Sequence, residues 1–69
     1  MTIDELIQIA AAGGGLDLTK YQNLTVDQLI DIAAAASNSG ARVHVESNGK
    51  TTDEMIQIAS KGNGAVLFV

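Results

Sequence analysis

The side chains best suited to chemistry in this 69-residue chain are a carboxylate and an imidazole in matching places. Asp17 stands between two leucines and His44 stands between two valines, so each lies at the centre of a short apolar segment. A carboxylate beside an imidazole can orient the ring for general-base catalysis. No nucleophile completes the pair, because the chain has no cysteine and no serine at a fitting spacing. We therefore predict a cross-strand polar pair and no catalytic residue.

A second candidate for chemistry is the segment 48–51, which reads Asn-Gly-Lys-Thr. It follows a predicted strand and precedes a predicted helix, which is the position of a phosphate-binding P-loop. The full motif needs a glycine five residues before Gly49, where this chain has His44. Asn-Gly is also a common turn dipeptide, and Thr51 is expected to cap a helix. We predict no cofactor and no metal site, the latter because one histidine and dispersed acids offer few ligands.

The elements that must position these residues occur three times along the chain. One pattern of threonine, acid, Glu or Gln and aliphatic residues recurs at 2–10, 25–33 and 51–59. In each copy the threonine and the Glu or Gln three residues later match a capping box, and the aliphatic residues recur at helical spacing. A glycine-bearing loop follows each copy and is typical of a helix end. We therefore predict three helices, each followed by a short apolar segment.

The apolar segments at 16–18, 43–45 and 67–69 predict short strands. Strands that are joined through helices are expected to run parallel. The first two segments alternate apolar and polar residues, which indicates that helices cover only one sheet face. We predict one α/β domain over 1–69 in the order αβαβαβ, a small parallel sheet with helices on one face, as a short solenoid-like two-layer unit. Its three helix–strand repeats are predicted at about residues 2–20, 25–46 and 51–69.

This plan resembles that of the leucine-rich-repeat class of short α/β solenoids. The regularly spaced leucines around an asparagine that mark that class are missing here, and the helix precedes the strand in every copy. The resemblance therefore implies an arrangement of elements only. It assigns no functional residues to this chain.

The composition argues against several classes of function. Eight acidic and four scattered basic residues give a net charge of −4, so we expect no binding to nucleic acid or to an anionic membrane. We recognise no signal peptide and no membrane-spanning run, so the expectation is a soluble protein, cytoplasmic by default. The chain has two aromatic residues and no cysteine, so its small core lacks both large buried rings and disulfide bonds. Small domains of this kind are commonly stabilised by oligomerisation.

The last predicted strand is the most suggestive stretch for function. Aligned with the other copies, it has Val66 and Phe68 on the uncovered sheet face, and its free edge has little charge to discourage pairing. We predict a non-enzymatic structural module that self-associates as a homo-oligomer or filament. The alternative is a monomeric adaptor or inhibitor domain that binds a different protein. The residues predicted for self-association are Val66, Phe68, Val69, His44 and Asp17.

Overall fold

The computed structural model describes residues 1–21 and 23–69, and this part of the chain contains three α-helices and a three-stranded sheet. The predicted mixed α/β class and the predicted order of helices and strands are confirmed. A short 3₁₀ turn, Leu18–Lys20, follows the first strand. The helices are α1 (Ile3–Ala11), α2 (Val26–Ser39) and α3 (Thr52–Gly62), and the strands are β1 (Leu16–Asp17), β2 (Val43–Val45) and β3 (Val66–Phe68).

Each helix begins with the predicted capping box. The hydroxyls of Thr2, Thr25 and Thr51 each accept a hydrogen bond of 3.2 Å from the backbone N–H three residues later. The side chain of that later residue accepts in return from the threonine N–H, at 2.8, 3.0 and 2.9 Å. Two donors of the first turn are thereby paired in every helix, which explains why all three helix starts could be predicted.

Residues in the left-handed conformation end two of the helices. Gly40 caps α2 with a φ of 79°. In α3 the glycine of the predicted loop, Gly62, is still helical, and Asn63 is the left-handed cap with a φ of 46°. Asparagine tolerates this conformation better than most residues with a side chain, so it can replace glycine there.

The strands form a parallel sheet in the order β1-β2-β3. Leu16 of β1 lies opposite Val43 of β2, and Val43 lies opposite Val66 of β3. Val43 and Val45 are fully buried, whereas His44 between them is exposed. Since successive side chains of a strand point to opposite faces, the core lies against one face of the sheet, here called the inner face. The opposite, outer face carries His44.

The core is a single aliphatic cluster that joins the inner face to all three helices. Leu6 of α1, Ile32 of α2 and Ile58 of α3 are almost completely buried in it. Leu, Ile, Val and Ala supply the buried side chains, as the low aromatic content predicts. The helices also contact each other in chain order, α1 against α2 and α2 against α3.

The predicted first strand is too long, and this part of the prediction is wrong. Only Leu16 and Asp17 belong to β1, and Leu18 begins the 3₁₀ turn with its side chain buried in the core. The carboxylate of Asp17 accepts a hydrogen bond of 3.1 Å from the backbone N–H of Thr19. This local bond turns the chain and ends the strand, because an aspartate can replace a backbone acceptor at such a position.

The predicted face of the last strand is also wrong. Val66 lies opposite Val43 and Phe68 lies opposite Val45, so both side chains are on the inner face. They are partly buried against the core cluster instead of lying beside His44. Every residue from 65 to 69 is apolar, so the alternation that indicates the buried face of a strand is missing here. The register of β3 is decided by its packing against the helices, and the sequence pattern carries no information about that packing.

Candidate self-association surface

Among the residues that the structure describes, the strand β3 lies at the edge of the sheet, and no other strand covers its free side. The N–H of Val43 donates to the carbonyl of Ala65 at 2.8 Å, and the N–H of Val69 donates to the carbonyl of Val45 at 3.0 Å. Because the backbone groups of successive residues in a strand point to alternate sides, residues 65, 67 and 69 face β2. The N–H and C=O groups of the two residues between them, at 66 and 68, point away from β2 along the free edge.

The outer face of the sheet carries a cross-strand row of one acid, one histidine and one leucine. Asp17 lies opposite His44, and His44 lies opposite Leu67. Leu67 therefore occupies the place in this row that we predicted for Phe68. Its side chain is 48% exposed, and Val69, two residues later, is 56% exposed. The exposed apolar surface beside the free edge comes from these two residues.

The carboxylate of Asp17 is engaged within its own turn. It accepts hydrogen bonds from the backbone N–H and from the hydroxyl of Thr19. These two bonds, the hydroxyl one being the stronger influence, hold the pKa of Asp17 below its ordinary value; Lys20 and His44 add weaker charge effects in the same direction. Asp17 and His44 are thus neighbours on the outer face, but the carboxylate accepts its hydrogen bonds from Thr19.

The loop between β2 and α3 contains the residues of the incomplete P-loop pattern. The Nζ of Lys50 donates to the carbonyl of Glu46 at 2.7 Å, and the N–H of Lys50 donates to the carbonyl of Ser47 at 3.1 Å. Gly49 has a φ of 81°, as the turn requires. The lysine therefore closes its own loop, and Thr51 caps α3 as expected. The turn, the lysine bond and the helix cap therefore explain why this loop contains glycine, lysine and threonine.

The same loop holds the end of β3 in place. The backbone N–H of Ser47 donates to the carbonyl of Val69 at 3.0 Å, and the hydroxyl of Ser47 donates to the same carbonyl at 3.0 Å. A carbonyl oxygen has two lone pairs and can accept both bonds. The edge strand is consequently fastened to β2 beyond its last paired residue.

Leu67 and Ile56 are exposed apolar residues that were not predicted from the sequence. The repeat alignment shifted β3 by one residue, which exchanged Leu67 for Phe68. Ile56 occupies the same place in its repeat as Ile7 and Ile30, and it is 56% exposed while those two are partly buried. The repeated pattern made the three isoleucines equivalent, so their difference in exposure was not visible in it.

Comparisons of this chain with protein-family models, curated proteins and solved structures found no match. Across residues 1–21 and 23–69, no helix combines the length and the apolar character that crossing a membrane requires. The same residues contain no group of three or more His, Cys, Asp or Glu side chains placed to hold a metal ion. The geometry of the sheet edge and of the exposed apolar side chains is therefore the basis for a functional assignment.

Proposed function

We propose that this chain is a non-enzymatic structural module that self-associates into a homo-oligomer or filament. The association would use the free edge of β3 and the outer sheet face around Leu67 and Val69. We further propose that the three helix–strand units stack as a short solenoid. The predicted partner is thus a second copy of the same chain.

The observation that carries this proposal is the difference between the two edges of the sheet. The edge at β1 is only two residues long, ends in a 3₁₀ turn and carries the charged Asp17. The edge at β3 has no charged side chain from residue 65 to 69 and is flanked by the exposed Leu67 and Val69. Folded proteins commonly protect free edges with short strands or charges, and an unprotected edge favours pairing with another chain.

The solenoid proposal rests on the order of the contacts. Strands that are consecutive in the chain are neighbours in the sheet, and consecutive helices contact each other. An arrangement in which each helix–strand unit contacts only the next is the defining property of repeat folds. The first and the last unit of such a stack each present one side that is equivalent to an internal interface.

Light scattering across a range of protein concentrations tests the proposal. We expect the average mass of the wild-type chain to rise with concentration. The variant Leu67→Glu should weaken association by about tenfold or more, because it adds a charge where an apolar side chain would be buried. Leu67 is the better test position than Phe68, since a charge at Phe68 would also disturb the core.

The matched control is Gln57→Glu, which adds the same charge at an exposed position on α3. It should associate like the wild type. A wild-type chain that remains monomeric at the highest concentration contradicts the proposal. Equal association of Leu67→Glu and Gln57→Glu would exclude the outer face near β3 from the interface.

A further inference from the structure

One side of α3 carries an exposed apolar surface whose counterparts in α1 and α2 are covered. Ala59 is exposed, whereas Ala10 and Ala33, at the same place in their repeats, are completely buried. Ile56 is 56% exposed, whereas the corresponding isoleucines of the first two helices are partly buried. We call this side of a helix its forward flank, which in α3 is represented by Ile56 and Ala59. In α1 and α2 the forward flank lies against the next helix.

The opposite side of α1 shows the complementary difference. Ile9 is only partly buried, whereas Ile32 and Ile58, at the same place in their repeats, have no exposed surface. We call this side the backward flank. In α2 and α3 this side also includes Ser39 and Gly62, which lie against the preceding helix. In α1 it forms a shallow depression lined by Met1, Glu5, Gln8, Ile9 and Ala12.

Inside the molecule a forward flank meets a backward flank twice. At the contact of α1 with α2, the hydroxyl of Ser39 donates a hydrogen bond to the carbonyl of Ala10. At the contact of α2 with α3, a Cβ on Gly62 would lie 3.4 Å from the Cβ of Ala33. The helices therefore pack closely through small residues. The exposed flanks of α3 and α1 are the two halves of an interface that the chain already forms internally.

We infer that a second copy of this chain docks head-to-tail, with the forward flank of α3 seated on the backward flank of α1 in the next copy. This inference rests on the proposed self-association and specifies which surfaces meet. The two surfaces are different, so the interface is heterologous, and each bound copy presents a new free flank. Assembly then continues with concentration unless the copies close into a ring.

The sheet supports the same arrangement. Leu16, Val43 and Val66 form one cross-strand row, and repeating the step between strands brings Leu16 of the next copy opposite Val66. In both internal strand pairs the N–H of a residue in this row donates to the carbonyl of the residue before its partner. The N–H of Leu16 donates to the carbonyl of Arg42, and the N–H of Val43 donates to the carbonyl of Ala65. By the same rule the N–H of Val66 would donate to the carbonyl of Gly15 in the next copy. The free edge of β3 would then be covered by β1.

Three substitutions to arginine test this geometry. Ala59→Arg obstructs the forward flank of α3. Ile9→Arg obstructs the backward flank of α1, because its counterparts Ile32 and Ile58 have no exposed surface. Ala11→Arg is the charge-matched control, because Ala11 is exposed and does not line the depression on α1. All three change the charge equally and lie near a helix end where arginine is tolerated. Circular dichroism and thermal melting verify that each variant is folded.

We expect light scattering to show association of the Ala11→Arg variant at wild-type strength. The Ala59→Arg and Ile9→Arg variants should each associate about a hundredfold more weakly, because each would bury an unpaired charge. Mixing these two variants in equal amounts should give a dimer and nothing larger. Each variant retains the flank that the other has lost, so one intact interface can form.

The outcomes separate this inference from the proposed function. If Ala59→Arg and Ile9→Arg assemble as well as the wild type, the head-to-tail geometry is overturned and self-association through another surface remains. A 1:1 mixture that stays monomeric also overturns the head-to-tail geometry. A wild type that is monomeric at every concentration overturns both the geometry and the proposed function.

Discussion

Asp17 has a structural role within its own turn, which its position beside His44 does not indicate. In the sequence the two residues form a plausible acid–base pair, and in the sheet they are indeed adjacent. The hydrogen bonds of the carboxylate nevertheless come from the backbone and the hydroxyl of Thr19. Bonds to the ionised form favour that form, which is why the pKa of Asp17 is lowered.

We expect Asp17 to titrate below the ordinary aspartate pKa of about 3.9 in a side-chain NMR titration. The variant Thr19→Val removes the hydroxyl bond, the largest influence on the pKa, and should return the midpoint toward the ordinary value. The corresponding stability is present above the unfolded pKa and is lost as the pH falls through the folded pKa. Thr52→Val, at an exposed position in α3, should leave the Asp17 titration unchanged. An unchanged midpoint in Thr19→Val would contradict the assignment.

At the scale of the elements, the last turn of α3 depends on a buried glycine. Gly62 is helical and buried, and the side chains of Val66 and Ala33 both lie close to the place that a Cβ would occupy. A Cβ at this position would come within 2.5 Å of the Cγ2 of Val66, well inside van der Waals contact. The glycine therefore sets how closely α3 approaches both β3 and α2.

We expect Gly62→Ala to lower the free energy of unfolding by about 1–3 kcal/mol, the usual cost of overpacking. This sign is opposite to the gain of about 1 kcal/mol that alanine brings in an unconstrained helix. The control Ser60→Ala, exposed in the same helix, should change stability by less than about 0.5 kcal/mol. Urea unfolding of the three proteins measures the difference. A Gly62→Ala variant more stable than the wild type would contradict the close packing described for α3.

The elements differ in how far the sequence could predict them, and the reason is the range of the interactions. The start of each helix depends on four consecutive residues, such as Thr51 and Glu54, so it could be predicted. The end of β1 depends on a side-chain bond from Asp17 that competes with the strand. The face of β3 depends on contacts with Gly62 and Val43, which are distant in sequence or in another element. Local patterns predicted the elements, and tertiary packing decided the register.

At the scale of the whole molecule, the candidate interface was harder to predict than the fold. Ile56 has the same sequence surroundings as its counterparts Ile7 and Ile30. Only the position of a helix in the stack determines whether its forward flank is covered, and a repeat pattern does not contain that information. Exposure in the folded chain therefore distinguished residues that the sequence made equivalent.

The net charge of −4 opposes association of identical copies. The exposed flank residues of α3 are apolar, so we expect association to become stronger when salt screens the repulsion. Light scattering at fixed protein concentration should give a larger average mass at about 0.5 M NaCl than at about 0.02 M, where charges interact over longer distances. A smaller mass at high salt would indicate an interface held by ion pairs and would contradict an apolar one.

The double hydrogen bond from Ser47 to the carbonyl of Val69 has a consequence for the uniqueness of the fold. Both faces of β3 are apolar, so sliding this strand by one residue would replace Val66 and Phe68 in the core with two aliphatic side chains. Hydrophobicity alone would hardly distinguish the two alignments. The bonds from Ser47 form only when the carbonyl of Val69 lies beside this loop, so they reinforce the alignment that packing against the helices selects.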